Sequence, residues 1–171
     1  HRAQETDLLF AAFIGFATFS LCASSVYLLN DMLDLESDRL HATKKTRPFA
    51  AGELSLRSGF LLAPALLVAA FCCAALLNAE FLLTLAGYWL ATLCYSLRLK
   101  SLLFIDALTL AGLFCARILA GAAAIEVTAT TWLLSFALLL FFGLALVKRH
   151  AELMNLRRQG KQETAGRAYR V

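Results

Sequence analysis

Asn30-Asp31-Met32-Leu33-Asp34-Leu35-Glu36-Ser37-Asp38, followed by Lys44-Lys45-Thr46-Arg47-Pro48 and Gly52, is the polar interruption of a chain that is otherwise 60% hydrophobic. Asn30, Asp34 and Asp38 recur at four-residue intervals, which places them on one face of a helix, with Asp31 one turn from Asp34. Carboxylates crowded on one face repel one another, and a divalent cation with a taste for hard oxygen ligands, Mg²⁺ above all, relieves the repulsion. The cations that follow suit phosphate. Asp31, Asp34 and Asp38 are therefore expected as metal ligands, with Asn30 orienting the site and Lys44 and Arg47 contacting a diphosphate. A charge-mixed solvated loop between two membrane helices is the plainer alternative; the regular spacing and the basic segment behind it favour the metal site. Pro48 and Gly52 fit a turn that ends the segment.

Outward from this segment the chain is a series of apolar runs. Residues 8–29, 58–79, 81–97 and 127–147 carry no charge, and 101–125 carries only Asp106 and Arg117. Crossing a hydrocarbon layer takes about 20 residues. With a mean hydropathy of +0.70, this pattern excludes an ordinary soluble domain and predicts an all-α, polytopic transmembrane bundle of five spans without a separate soluble domain. The five cysteines all lie inside the runs, without metal-site spacing, and read as small packing residues. The chain starts at His1 without a methionine and is expected to be a piece of a longer protein.

Orientation follows from charge. Parity puts the segment 30–57, the joint 98–100 and the tail from Lys148 on one side of the membrane. Of the 16 Lys and Arg residues, all but Arg2 and Arg117 fall on that side. Basic residues collect on the cytoplasmic side, so the aspartates are expected to face the cytoplasm from a bacterial inner membrane. No nucleic-acid partner is expected.

Other polar residues stand at span ends or inside spans. Tyr95 and Lys100, in Tyr95-Ser96-Leu97-Arg98-Leu99-Lys100, read as an interfacial anchor or, beside the aspartates, as substrate contacts. Asp106 and Arg117 are ionisable groups within a span, which are costly there and usually face an interior. Eleven residues separate them, close to three turns, so both project from one face. Lys148-Arg149-His150-Ala151-Glu152 reads as a basic anchor with a Lys148–Glu152 ion pair, or as a second polar cluster for substrate.

The Asn30, Asp31, Asp34, Asp38 run resembles the first signature of the UbiA superfamily of intramembrane prenyltransferases, N-D-x-x-D-x-x-x-D, which that family follows with basic residues and an Arg-Pro, here Arg47-Pro48. The resemblance implies a bundle of nine helices around a central cavity, of which the five spans would be the second to sixth. It implies Mg²⁺, a polyprenyl phosphate or diphosphate lipid, and a catalytic role for Asp31, Asp34 and Asp38. The family's aromatic prenyltransferases carry a second motif, D-x-x-x-D, where this chain has Lys148, Arg149 and Glu152. That departure, with Asp38-Arg39-x-His41-x-Thr43-Lys44, Tyr95–Lys100, Asp106 and Arg117, is similar to the branch that transfers phosphoribose from phosphoribosyl pyrophosphate to a polyprenyl phosphate in making cell-wall arabinan. More anion on the donor and acceptor calls for more cation, which Lys148 and Arg149 would supply. Asp106 would act on ribose hydroxyls or the metal shell. The alternative is prenyl transfer from a polyprenyl diphosphate to an aromatic or other small acceptor. A transporter would also bury Asp and Arg but needs no such aspartate run, and a CDP-alcohol phosphotransferase needs a D-G-x-x-A-R run that is not in this sequence.

Overall fold

A computed structural model of the chain describes residues 2–41, 43–102 and 104–158. All regular structure among these residues is helical. The long helices are α1 (Arg2–Leu33), α4 (Leu56–Ala74), α5 (Ala79–Leu97), α6 (Ile105–Ala124) and α7 (Thr131–Arg158). Between α1 and α4 lie two short ones, α2 (Leu35–Leu40) and α3 (Pro48–Ala51). All five long helices are long and apolar enough to cross a membrane, and side chains such as Leu9, Phe16, Leu61 and Leu139 stand largely exposed on them, as lipid-facing positions do. The fold is a polytopic transmembrane helix bundle.

The helix ends differ from the hydropathy boundaries. The second span's helix stops at Ala74 rather than near residue 79, the fourth begins at Ile105 rather than 101, and the fifth runs on to Arg158 rather than ending at 147. Hydropathy marks where lipid ends. Lys, Arg and Glu are good helix formers, so a helix continues into water when nothing breaks it. The segment expected as a loop, 30–57, is itself mostly helical: α2, a 3₁₀ turn at Lys44–Thr46 and α3 fill it.

The chain divides into two compact units. The first comprises the residues up to Trp89 and Ala120–Val127; the second comprises Leu90–Leu119 and the residues from Thr128. In the first, α1 packs along α4 through small buried residues: Thr18, Cys22 and Ser25 on α1, Ala63, Ala70 and Ala74 on α4. Small side chains let the backbones approach, which is how membrane helices associate where lipid is as apolar as leucine. Ser25 Oγ donates to the Ala63 carbonyl at 2.7 Å and pins the register. At the far end, Asn78 accepts from the Phe81 N–H at 2.8 Å and donates to the Ala123 carbonyl at 2.7 Å, capping α5 and tying it to the end of α6. There the Val127 N–H bonds to the Ala122 carbonyl and the Glu126 N–H to the Ala123 carbonyl, a Schellman ending with Glu126 at φ +56 where glycine is usual.

In the second unit the aromatic rings of Phe114 on α6 and Phe141 on α7 stack with centroids 4.4 Å apart. The Arg117 guanidinium lies over the Phe114 ring, 4.7 Å from its centroid, a cation–π contact of about 0.5–2 kcal/mol.

Candidate functional site

The aspartate segment keeps the helical register its spacing predicts, with a kink. The Asp34 N–H bonds to the Asn30 carbonyl at 2.9 Å, and the Asp38 N–H to the Asp34 carbonyl at 2.8 Å. Asp34 sits at the N-cap of α2 with φ −93 and ψ 7, and its side chain makes no cap hydrogen bond. Asp38 is buried, 1% exposed.

Arg47 is brought back onto this corner by the turn that follows. It precedes Pro48, which disfavours helical backbone at residue 47, and it adopts φ −65 and ψ 146 as the N-cap of α3. Pro48 at N1 starts α3 and Gly52, at φ +80, ends it. Phe49 is buried against α4 at Gly59. A Cβ at residue 59 would lie 2.5 Å from Met32 Sδ and 2.7 Å from Phe49 Cζ, so α4 reaches α1 and α3 here only because residue 59 lacks a side chain. From this anchored position Arg47 Nη1 donates to both Asp31 Oδ1 and Asp38 Oδ2, each at 2.8 Å. Lys44 Nζ stands 3.8 Å from Asp38 Oδ1. The sequence assigns Arg47 and Lys44 to phosphate; in the structure they neutralise the carboxylates.

Asn30 Oδ1 and Asp38 Oδ1 are buried oxygens that accept no hydrogen bond from the described residues. Buried acceptors are expensive to leave unsatisfied, and these are hard donors of the kind Mg²⁺ takes. Among the described residues no three His, Cys, Asp or Glu side chains converge as a metal cage. Mg²⁺ is commonly held by one or two carboxylates together with water and substrate phosphates, so the donors at this corner fit it.

A second polar cluster ties three helices of the second unit. Asp106, in the first turn of α6, is fully buried. Arg149 on α7 grips it with both Nε and Nη2, the latter 3.1 Å from Oδ1. Tyr95 on α5 donates its hydroxyl to Asp106 Oδ1 at 2.8 Å. Arg149 Nη1 donates to Glu152 Oε2 at 2.7 Å. The ion pair on α7 is thus Arg149–Glu152 rather than Lys148–Glu152. Arg149 is 4% exposed, with its charge committed to Asp106 and Glu152; Lys148 is exposed. Lys100 is half-buried in a 3₁₀ turn, Leu99–Ser101. Arg117 is held on Phe114 instead of joining Asp106.

Sequence reasoning gave no sign of a pocket of about 390 Å³ at the other end of α1, lined by Asp7, Ile14, Leu77, Asn78 and Glu126 among others. Its residues come from three segments and form no local motif. Of the Asp106–Arg149 pair only Asp106 carried a weak signal, a carboxylate inside an apolar run that needs a partner.

The UbiA prenyltransferase family model matches residues 2–168. An uncharacterized protein of Sinorhizobium fredii is 40% identical over 98% of this chain and 32% of its own length. The nodulation protein NoeC of Azorhizobium caulinodans is 34% identical over 98% of this chain and 55% of its own. The decaprenyl-phosphate phosphoribosyltransferase of Mycolicibacterium smegmatis is 36% identical over 86% of this chain and 46% of its own. The chain thus spans between a third and just over half of the curated relatives it matches. The fold is that of a UbiA homolog from Archaeoglobus fulgidus, solved bound to DMAPP and Mg²⁺, with a TM-score of 0.71 at 24% identity over 77% of this chain and 49% of that one. A family match across nearly the whole chain establishes that this chain belongs to the UbiA prenyltransferase family.

Proposed function

We propose that this chain forms the aspartate-bearing part of a Mg²⁺-dependent membrane transferase that moves 5-phosphoribose from phosphoribosyl pyrophosphate to a polyprenyl phosphate. The observation that carries the reading is the corner where Asp38 and Asn30 present buried, unsatisfied oxygens beside Arg47 and Lys44. An oxygen of the lipid phosphate bonds to the anomeric carbon, and pyrophosphate leaves with the electron pair of the broken C–O bond. Mg²⁺ held by Asp31, Asp34 and Asp38, with Asn30, would offset the charge growing on that leaving group. Lys44, Arg47, Lys100 and Lys148 are the cations assigned to phosphates. Asp106 and Tyr95 hold Arg149 in place. The phosphoribosyl donor is favoured by Lys148, Arg149 and Glu152, which stand where the aromatic prenyltransferases carry aspartates, and by the 36% identity to a relative named for that reaction. Arg149 contributes to this only as the partner of Asp106, which leaves Lys148 as the cation for the donor at the end of α7.

The test gives the full-length protein labelled phosphoribosyl pyrophosphate with a polyprenyl phosphate and, separately, a prenyl diphosphate with an aromatic acid. A labelled lipid in the first mixture is expected. Product only in the second would replace this reading with prenyl transfer to a small acceptor.

The aspartates belong on the cytoplasmic face in this proposal. A single cysteine at exposed Ser37, with the native cysteines removed, should resist a membrane-impermeant thiol reagent in intact cells and react once the inner membrane is opened. Labelling of intact cells would invert the topology.

A further inference from the structure

Asp38 is almost wholly buried, and its charge is balanced by Arg47 at 2.8 Å and Lys44 at 3.8 Å. Arg47 Nη1 makes both the Asp31 and the Asp38 contact. Those two oxygens belong to two of the carboxylates that the proposed metal would use, beside the open Asp38 Oδ1 and Asn30 Oδ1. A guanidinium on a carboxylate weakens its pull on a divalent cation, because the two positive charges repel at this distance.

We propose that Arg47 competes with Mg²⁺ for the aspartates, so that the metal enters together with a diphosphate and not alone. The inference rests on the functional reading above and adds an order of binding to it. A metal arriving by itself either binds against the Arg47 charge or displaces Arg47 and leaves that charge without a partner. A diphosphate supplies that partner. The guanidinium fork carries five N–H donors in the geometry that matches phosphate oxygens. The Arg47 side chain is 38% exposed, against 1% for Asp38, so Arg47 has room to turn toward solvent while Asp38 does not. Its backbone is fixed by Pro48 and the buried Phe49, which confines the exchange to the side chain. Lys44, farther from Asp38 and without a hydrogen bond to it in the structure, stays to balance the buried charge. By linkage, diphosphate must raise metal affinity and metal must raise diphosphate affinity by one factor. Free Mg²⁺, abundant in any cytoplasm, would then not load the site ahead of the substrate.

The experiment measures Mg²⁺ binding calorimetrically to the full-length, chelator-treated protein, with and without inorganic pyrophosphate, correcting for Mg²⁺–pyrophosphate association in solution. For wild type, pyrophosphate should tighten Mg²⁺ binding. For Arg47→Gln, binding of Mg²⁺ alone should tighten roughly ten- to a hundredfold, and the gain from pyrophosphate should shrink. Arg47→Lys, which keeps a cation beside Asp38 if the glutamine variant folds poorly, should fall between the two. Unchanged or weaker binding of Mg²⁺ alone to both variants, while wild type still binds Mg²⁺ with pyrophosphate, overturns the competition and leaves the metal site standing. No Mg²⁺ binding to any of the proteins with pyrophosphate present overturns both readings.

Discussion

Asp106→Ala should destabilise the protein by about 3–5 kcal/mol, the usual consequence of removing one member of a buried ion pair. The aspartate is fully buried and takes two N–H groups of Arg149 and the hydroxyl of Tyr95. Without it, Arg149 keeps one carboxylate partner, Glu152, and buries the rest of a guanidinium without an acceptor. Tyr95→Phe removes one hydrogen bond and leaves the ion pair, so it should cost only about 1–2 kcal/mol. The double variant Asp106→Ala with Arg149→Met should recover much of the loss, because a buried pair replaced by apolar groups is often nearly neutral. Thermal unfolding of the purified full-length protein in one detergent ranks the three. If Asp106→Ala unfolds with wild type, the cluster does not hold α5, α6 and α7 together.

That cluster shows where the sequence runs out of local signal. The five spans are legible because a lipid environment imposes its length and apolarity on every residue of a run, and the structure returns five such helices. The helical face of Asn30, Asp34 and Asp38 is legible for the same kind of reason, since backbone bonds from Asp34 to Asn30 and from Asp38 to Asp34 are local. Pairings between distant segments are not. Arg149 and Asp106 are 43 residues apart, and Arg47 and Asp31 are 16 apart. No period in the sequence links them. Spacing alone put Asp106 and Arg117 on one face, but a guanidinium has two ways to be satisfied in an apolar setting, a carboxylate or an aromatic ring. Phe114, one turn before Arg117, supplies the ring. The charges at 148–158 mark the end of the apolar span but not the end of α7, since nothing in them breaks a helix.

Asp34→Asn should reduce turnover of the full-length enzyme by roughly three orders of magnitude, equivalent to the several kcal/mol of leaving-group stabilisation a bound metal provides. Asp34 is the informative aspartate because it is half-exposed where Asp38 is buried. Asp38 is buried and Asp31 shares Arg47 with it, so changing either alters an ion pair as well as a proposed ligand. Asp34 is half-exposed, and its side chain does not cap α2. The amide is nearly the same shape and keeps an oxygen, while the negative charge that draws a hard divalent cation is gone. Raising Mg²⁺ should restore part of the lost activity, and the unfolding temperature should fall by less than for Asp106→Ala. Glu36 provides the control. It is an acid in the first turn of the same helix, exposed and off the face that Asn30, Asp34 and Asp38 share. Glu36→Gln removes one negative charge from the same segment and should leave turnover within about twofold, because exposed charges of this kind are screened over about 8–10 Å in physiological salt. Equal losses in the two variants would mean that the segment acts through its summed charge. No loss at Asp34 would remove it from the metal site.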